Sequence, residues 1–358
     1  MVFNSIFFIF CFLPVFMLIY YLVPGKLRNL LLFLGSLIFY AWGEPVYVIL
    51  MLFSSIFNYY MGTELERLYY DDRKQKINLI FSIIINLAVL VFFKYYGFLL
   101  NTIGGIIGIH IPHPELSLPI GLSFYTFRNL SYLFDIYLSK VSAQRNFLTF
   151  AVYSTMFPYT SAGPIVRYTD IETQLKQRTI NISKFGIGAE LFVKGLAKKV
   201  LLADNLSVLY SSICGHPQMS VFTSWLGILA YTMQLYFDFS GYSDMAIGLG
   251  KMLGFDFNKN FDYPYISTSV SEFWRRWHIS LGSWFRDYIY IPLGGNRVST
   301  LKHIRNILVV WALTGLWHGA SWNFVLWGVY YGLFLLLEKF VLQKYLKKIP
   351  SWLCTVYT

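Results

Sequence analysis

The sequence predicts an all-α, polytopic transmembrane protein with about ten spans. Three observations carry that prediction. Of 358 residues, 56% are hydrophobic and only 13% charged, with a mean hydropathy of +0.52. A soluble domain carries about 25% charged residues, and its outer shell must be polar. Apolar runs recur along the chain with no polar domain between them. The first, Val2 to Val23, contains no charge, and about 20 such residues cross a hydrocarbon core roughly 30 Å thick. It lacks the basic start and small-residue cleavage site of a signal peptide, so it is expected to be retained.

Taken in order, apolar spans fall near 2–23, 29–43, 45–63, 77–100, 118–138, 145–162, 185–204, 221–252, 305–320 and 322–343. Lys26 and Arg28 follow the first, and Arg67, Arg73, Lys74 and Lys76 follow the third. Between the second and third spans stands only Glu44. The positive-inside rule therefore places both basic sites in the cytoplasm and the N-terminus outside. Basic loops beside anionic lipid heads account for the net charge of +11, and no nucleic-acid partner is needed to explain it.

Two stretches are too polar for simple spans. Residues 164–184 mix charges and read as a loop. Residues 255–300 sit among spans, so they are re-entrant, interfacial or line a wet cavity. Within them, Ser269 and Glu272 have capping-box spacing. From there to Pro292 the pattern predicts one amphipathic helix. Its apolar face is Trp274, Trp277, His278, Leu281, Trp284 and Phe285, and its polar face includes Arg275, Arg276, Ser280, Ser283, Arg286 and Asp287. No repeat is visible, and residues 1–358 read as one membrane domain.

Chemistry must come from a few polar groups. Cys11, Cys214 and Cys354 have no motif spacing, and His110 and His113 lack a third ligand, so no metal is expected. No nucleophile elbow or phosphate loop is present. His318 lies in Leu316-Trp317-His318-Gly319-Ala320, where a titratable group is costly and marks a functional position. Trp311, Gly315, His318 and Trp322 share a helical face. Gly315 and Gly319 either admit a thin substrate to the ring or let two helices pack closely. His278 is the second histidine of interest. Histidine suits a proton-transfer role because its pKa lies near neutrality. Arg275, Arg276 and Arg286 fit a phosphate-bearing ligand, or pair with lipid phosphates or Asp287. Asp238, Ser240, Ser243 and Asp244 form either a polar cavity wall or an ion-pair network, with those arginines as partners.

Four stretches resemble the membrane-bound O-acyltransferase family, in its branch of alginate and peptidoglycan O-acetylation membrane proteins. They are Leu118-Pro119-Ile120-Gly121-Leu122-Ser123-Phe124-Tyr125-Thr126-Phe127, Ala162-Gly163-Pro164-Ile165-Val166-Arg167-Tyr168, Gln234 through Asp244 to Glu272-Leu281, and Gly315-Leu316-Trp317-His318-Gly319-Ala320-Ser321-Trp322. The resemblance covers essentially the whole chain. It implies tilted helices around a thin centre, with a tunnel joining a cytoplasmic donor side to an outer acceptor side. It implies His318 as the catalytic histidine and His278 as a second catalytic residue. Arg275, Arg276, Trp277, Trp317, Asp238 and Ser240 are the expected substrate or donor contacts. The donor is an acyl thioester, with acetyl-CoA as co-substrate and no bound cofactor. The acyl group passes outward to a periplasmic or extracellular acetyltransferase that modifies a polysaccharide. The implied location is a bacterial cell membrane, surrounded by lipid.

Arg128 and Tyr331 depart from the family pattern, which has glutamine and often a second histidine there. The chain stops soon after 350, where members of this branch usually continue, so it reads as either a short member or one lacking C-terminal spans. Rival readings are D-alanyl, protein or lipid acyl transfer, and a transporter that moves an acyl donor without cleaving it.

Overall fold

A computed structural model describes residues 1–114, 116–216 and 219–358. In chain order the helices are α1 (Leu13–Leu22), α2 (Arg28–Ala41), α3 (Val48–Arg67), α4 (Asp72–Ile107), α5 (Leu122–Tyr137), α6 (Phe147–Thr155), α7 (Phe157–Thr160), α8 (Tyr168–Lys176) and α9 (Ile182–Ala197). There follow α10 (Asp204–Cys214), α11 (Val221–Met252), α12 (Val270–Arg276), α13 (Ile279–Phe285), α14 (Thr300–His318), α15 (Trp322–Leu337), α16 (Gln343–Leu346) and α17 (Ser351–Tyr357). Among the described residues there is no strand. Among the described residues three helices are long and apolar enough to cross a membrane: Val48–Arg67, Asp72–Ile107 and Trp322–Leu346. The chain divides into two compact units, Met1–Ser55 with Asn146–Lys259, and Ile56–Arg145 with Asn260–Thr358.

In the first unit α9 lies directly on α11. A Cβ on Gly195 would stand 2.5 Å from the Gly241 carbonyl, and one on Gly188 would stand 2.6 Å from that of Gly248. Small residues let the two backbones touch, which is how helices gain contact where lipid supplies no hydrophobic drive. The end of α11 is closed by Tyr20 and Tyr21, whose hydroxyls donate to the carbonyls of Leu253 (2.8 Å) and Met252 (2.6 Å). These would otherwise be orphans of the last turn. The expected span 145–162 is instead two short buried helices, α6 and α7. The backbone turns extended at Met156, and Pro158 sits where a first helical turn tolerates its missing N–H. The expected loop 164–184 contains α8. Asp170 accepts the Arg167 N–H at 3.0 Å to start it, and the Glu172–Lys176 pair at 2.7 Å supports its one exposed face. Asn181, the start of an Asn-x-Ser triplet, caps α9 by accepting from the Lys184 N–H.

In the second unit α4 is inside-out for a water-soluble helix. It buries Gln75, Ser82 and Asn86 and exposes Ile77, Phe81, Ile84, Phe92 and Ile103. Asn86 and Asn58 exchange amide hydrogen bonds of 2.8 and 3.0 Å between α4 and the part of α3 in this unit, the polar glue of helices in lipid. α5 is buried along its length. Its Asp135 accepts from Tyr288 at 2.8 Å and its Phe127 carbonyl from the Trp284 indole at 3.0 Å. α14 and α15 pack through Gly315 and Gly328, where an added Cβ would lie 2.3 Å from the carbonyls of Phe324 and Trp311 respectively. Gly315 therefore serves helix packing, and Gly319 faces the Phe324 ring; neither clears a passage for substrate.

The single amphipathic helix expected from Ser269 to Pro292 is broken. α12 ends at Arg276, and His278 adopts left-handed backbone (φ 46°, ψ 54°) before α13 begins. A histidine rarely takes that conformation unless neighbours enforce it.

Candidate active site

The break at His278 is enforced by Asn260. Its carbonyl oxygen on the main chain accepts the Ile279 N–H at 2.9 Å. Its side-chain Oδ1 accepts from the Ser280 N–H at 3.1 Å and the Ser280 hydroxyl at 2.9 Å, and lies 3.2 Å from His278 Nδ1. A backbone N–H can only donate, so the Asn260 atom in this contact is the amide oxygen. His278 Nδ1 must then carry the proton and donate, and neutral His278 has its lone pair on Nε2.

α12 is aimed by two carboxylates. Ser269 accepts from the Glu272 N–H at 3.1 Å, as the capping pattern predicts. The return bond goes elsewhere: Glu272 accepts from the N–H and hydroxyl of Thr268, both at 2.9 Å. The Thr268 N–H, with the Arg276 guanidinium beside it, holds the Glu272 carboxyl down at about 2. Buried Glu338 accepts from the N–H groups of Val270 (2.7 Å) and Ser271 (3.0 Å), satisfying the orphan donors of the first turn.

His318 closes α14, and Gly319 after it is extended. Its ring centre lies 4.9 Å from those of both Trp317 and Trp327. Among the described residues none hydrogen-bonds its ring nitrogens. Trp317 also approaches the His278 ring, at 5.7 Å. Trp322, expected on the His318 face, instead starts α15 and packs on Phe98 at 5.6 Å.

A cavity of about 420 Å³ brings the two histidines together, with Trp274, Trp277, Arg275, Ser283, Arg286 and Lys339 also in its wall. This size suits a small-molecule site. The arginines divide. Arg286 is bound to Asp287 at 2.6 Å. Arg276, expected beside Arg275 on a ligand phosphate, is turned to Glu272 at 2.8 Å and to the Asp262 carbonyl at 3.1 Å. Arg275 alone of the three has no acid partner among the described residues and lines the cavity. Trp277 stacks on Phe273 at 5.6 Å. The Trp274 and Trp317 indole nitrogens are buried and make no hydrogen bond among the described residues.

Asp238 and Ser240 belong to α11 in the other unit. Asp238 is held by Lys199 at 2.8 Å, a lysine that also binds Asp204, and Asp244 by Lys198 at 2.6 Å. Lysines, rather than the expected arginines, are the partners, and the cluster is an ion-pair network. Ser240 is buried beside it.

Sequence reasoning overlooked three residues. Lys94, a lone charge in the α4 run, reaches the Trp317 carbonyl; its position within an apolar span was the available signal. Glu338 offered a similar one at the edge of an apolar run. Asn260 offered none, because its bond to His278 spans 18 residues without a motif. His303 is buried between Tyr290 (3.0 Å) and Lys339 (3.1 Å).

Residues 46–348 match the family described as MBOAT, membrane-bound O-acyltransferase family. The chain is 45% identical over 343 residues to a protein of Pseudomonas aeruginosa named "Probable alginate O-acetylase AlgI", covering 95% of this chain and 66% of that one. It is 35% identical over 396 residues to a peptidoglycan O-acetyltransferase of Helicobacter pylori, covering 99% and 75%. It is 29% identical over 264 residues to a teichoic acid D-alanyltransferase of Bacillus subtilis, covering 68% and 64%. The chain spans about two thirds of the length of the alginate-type relative.

Proposed function

Because the chain belongs to the membrane-bound O-acyltransferase family, we propose that it is an O-acyltransferase of the bacterial cell membrane. It moves an acetyl group from cytoplasmic acetyl-CoA across the membrane for O-acetylation of an extracellular or cell-wall polysaccharide. One observation carries the reading: His278 and His318 share one cavity wall with Arg275. The names of the two relatives with the higher identity favour a polysaccharide acceptor. The reading takes residues 1–358 as one multi-pass membrane domain, about ten spans around a central tunnel, handing its acyl group to a polysaccharide-modifying acetyltransferase outside.

In the proposed reaction, His318 accepts the proton of an acceptor hydroxyl while that oxygen attacks the thioester carbonyl. The tetrahedral oxyanion collapses, the C–S bond breaks, and the departing thiolate takes the proton back from the imidazolium. Neutral His278, with its lone pair on Nε2, cannot donate to the oxyanion, so an indole N–H serves there. Trp274, in the cavity wall with an indole N–H that makes no hydrogen bond among the described residues, is the one assigned. Arg275 holds donor phosphate. Arg276, Asp238 and Ser240 have no direct part in this scheme.

The test is release of free CoA from labelled acetyl-CoA by membranes carrying the chain, wild type against His318→Ala. Release lost in the variant supports the reading. Release unchanged in the variant refutes the base. Release by neither, with cleavage of a carrier-protein thioester, replaces acetyl-CoA as donor.

A further inference from the structure

We propose that Lys94 and Tyr95 on α4 form a clamp on the end of α14, and that Lys94 is a positioning residue for His318. The proposal rests on His318 being the base. α14 stops at His318 because Gly319 is extended. The carbonyls of Leu316 and Trp317, which a continuing helix would have bonded, are left open. Two consecutive residues of α4 fill both. The Tyr95 hydroxyl donates to the Leu316 carbonyl at 2.5 Å, and the Lys94 ammonium donates to that of Trp317.

Lysine is suited to this place. A cation at a helix C-terminus meets the negative end of its dipole. The same ammonium lies 5.6 Å from the centre of the Trp317 ring, a cation–π distance. Lys94 thus fixes Trp317 through both its backbone and its indole. That indole packs against both histidines, at 5.7 Å for His278 and 4.9 Å for His318. Freeing Trp317 would let the last turn fray and the imidazole drift. In a step that depends on near-attack geometry, a shift of about 1 Å can cost about 100-fold.

The experiment uses the full chain in membranes, with Lys94→Met, Lys94→Arg and Tyr95→Phe. Two readouts are taken: steady-state thioester cleavage, and the rate at which diethyl pyrocarbonate modifies His318 relative to His303, read by peptide mass spectrometry. Lys94→Met is expected to lower kcat about 10- to 100-fold with little change in KM. Lys94→Arg, which keeps a cation and its donors, recovers most of that loss. The His318 labelling rate changes in Lys94→Met while that of His303 does not. Wild-type kcat together with wild-type labelling in Lys94→Met overturns the clamp. So does a parallel change at both histidines, which would mean general loosening. Should Lys94→Met not accumulate, labelling of Tyr95→Phe decides by the same criterion. A silent wild type contradicts the acetyl-CoA reading instead, and labelling, which needs no turnover, still judges the clamp.

Discussion

Asp238 and Asp244 on α11 interrupt apolar sequence as abruptly as His318 does beside the cavity. The structure treats the two regions differently. On α11 each carboxylate has its own lysine, 2.6 to 2.8 Å away, and Lys199 bridges to Asp204 as well. Around the cavity, Arg275 has no acid partner and the His318 ring no hydrogen bond among the described residues, while His278 is held in one tautomer by Asn260. On the proposed reading, a polar group in this membrane protein marks chemistry when the protein leaves it available. When its bonding is complete it marks architecture.

The sharpest way to break this contrast, short of removing a histidine, is at Asn260. Asn260→Leu is expected to lower turnover about 10- to 100-fold, the usual cost of losing a partner that orients a reactive imidazole. Cleavage kinetics with KM measured separately would show it. Next comes Gly315→Ala, which puts a methyl 2.3 Å from the Phe324 carbonyl. It should destabilise by about 2–3 kcal/mol, as overpacking does, read by thermal unfolding in detergent. Glu338→Gln leaves a neutral acceptor for Val270 and Ser271 and should cost about 1 kcal/mol.

Glu272 adds a pH test. Its folded carboxyl sits at about 2 against an ordinary 4.5. Its stabilisation is therefore complete above 4.5 and is lost as pH falls towards 2. The stability gap between wild type and Glu272→Gln should close over that interval. The smallest effect is expected at Asp238→Asn. Its pair with Lys199 is partly solvated and Lys199 keeps Asp204, so about 0.5 kcal/mol or less is lost and turnover holds.

The all-helical class and the positions of several long helices were legible in sequence because lipid makes hydropathy a record of helix position. α11 spans the expected 221–252 as Val221–Met252. The errors have local causes. α8 was hidden because its charges look like a loop until Asp170 and the Glu172–Lys176 pair are seen to organise a helix. The break at His278 was hidden because periodicity runs smoothly through it. It is Asn260, distant in sequence, that holds the backbone there left-handed. Both histidines were visible as costly polar groups. What sequence could not give was the division of the arginines, since only geometry turns Arg276 to Glu272 and leaves Arg275 in the cavity wall.

The measurement that bears most directly on this contrast is thioester cleavage by membranes carrying wild type, His318→Ala or Asp238→Asn at matched expression. The account predicts that His318→Ala loses at least about 100-fold, as removal of a general base does, while Asp238→Asn stays near wild type. The opposite pattern, cleavage surviving in His318→Ala and lost in Asp238→Asn, would place the chemistry on α11 and contradict the account.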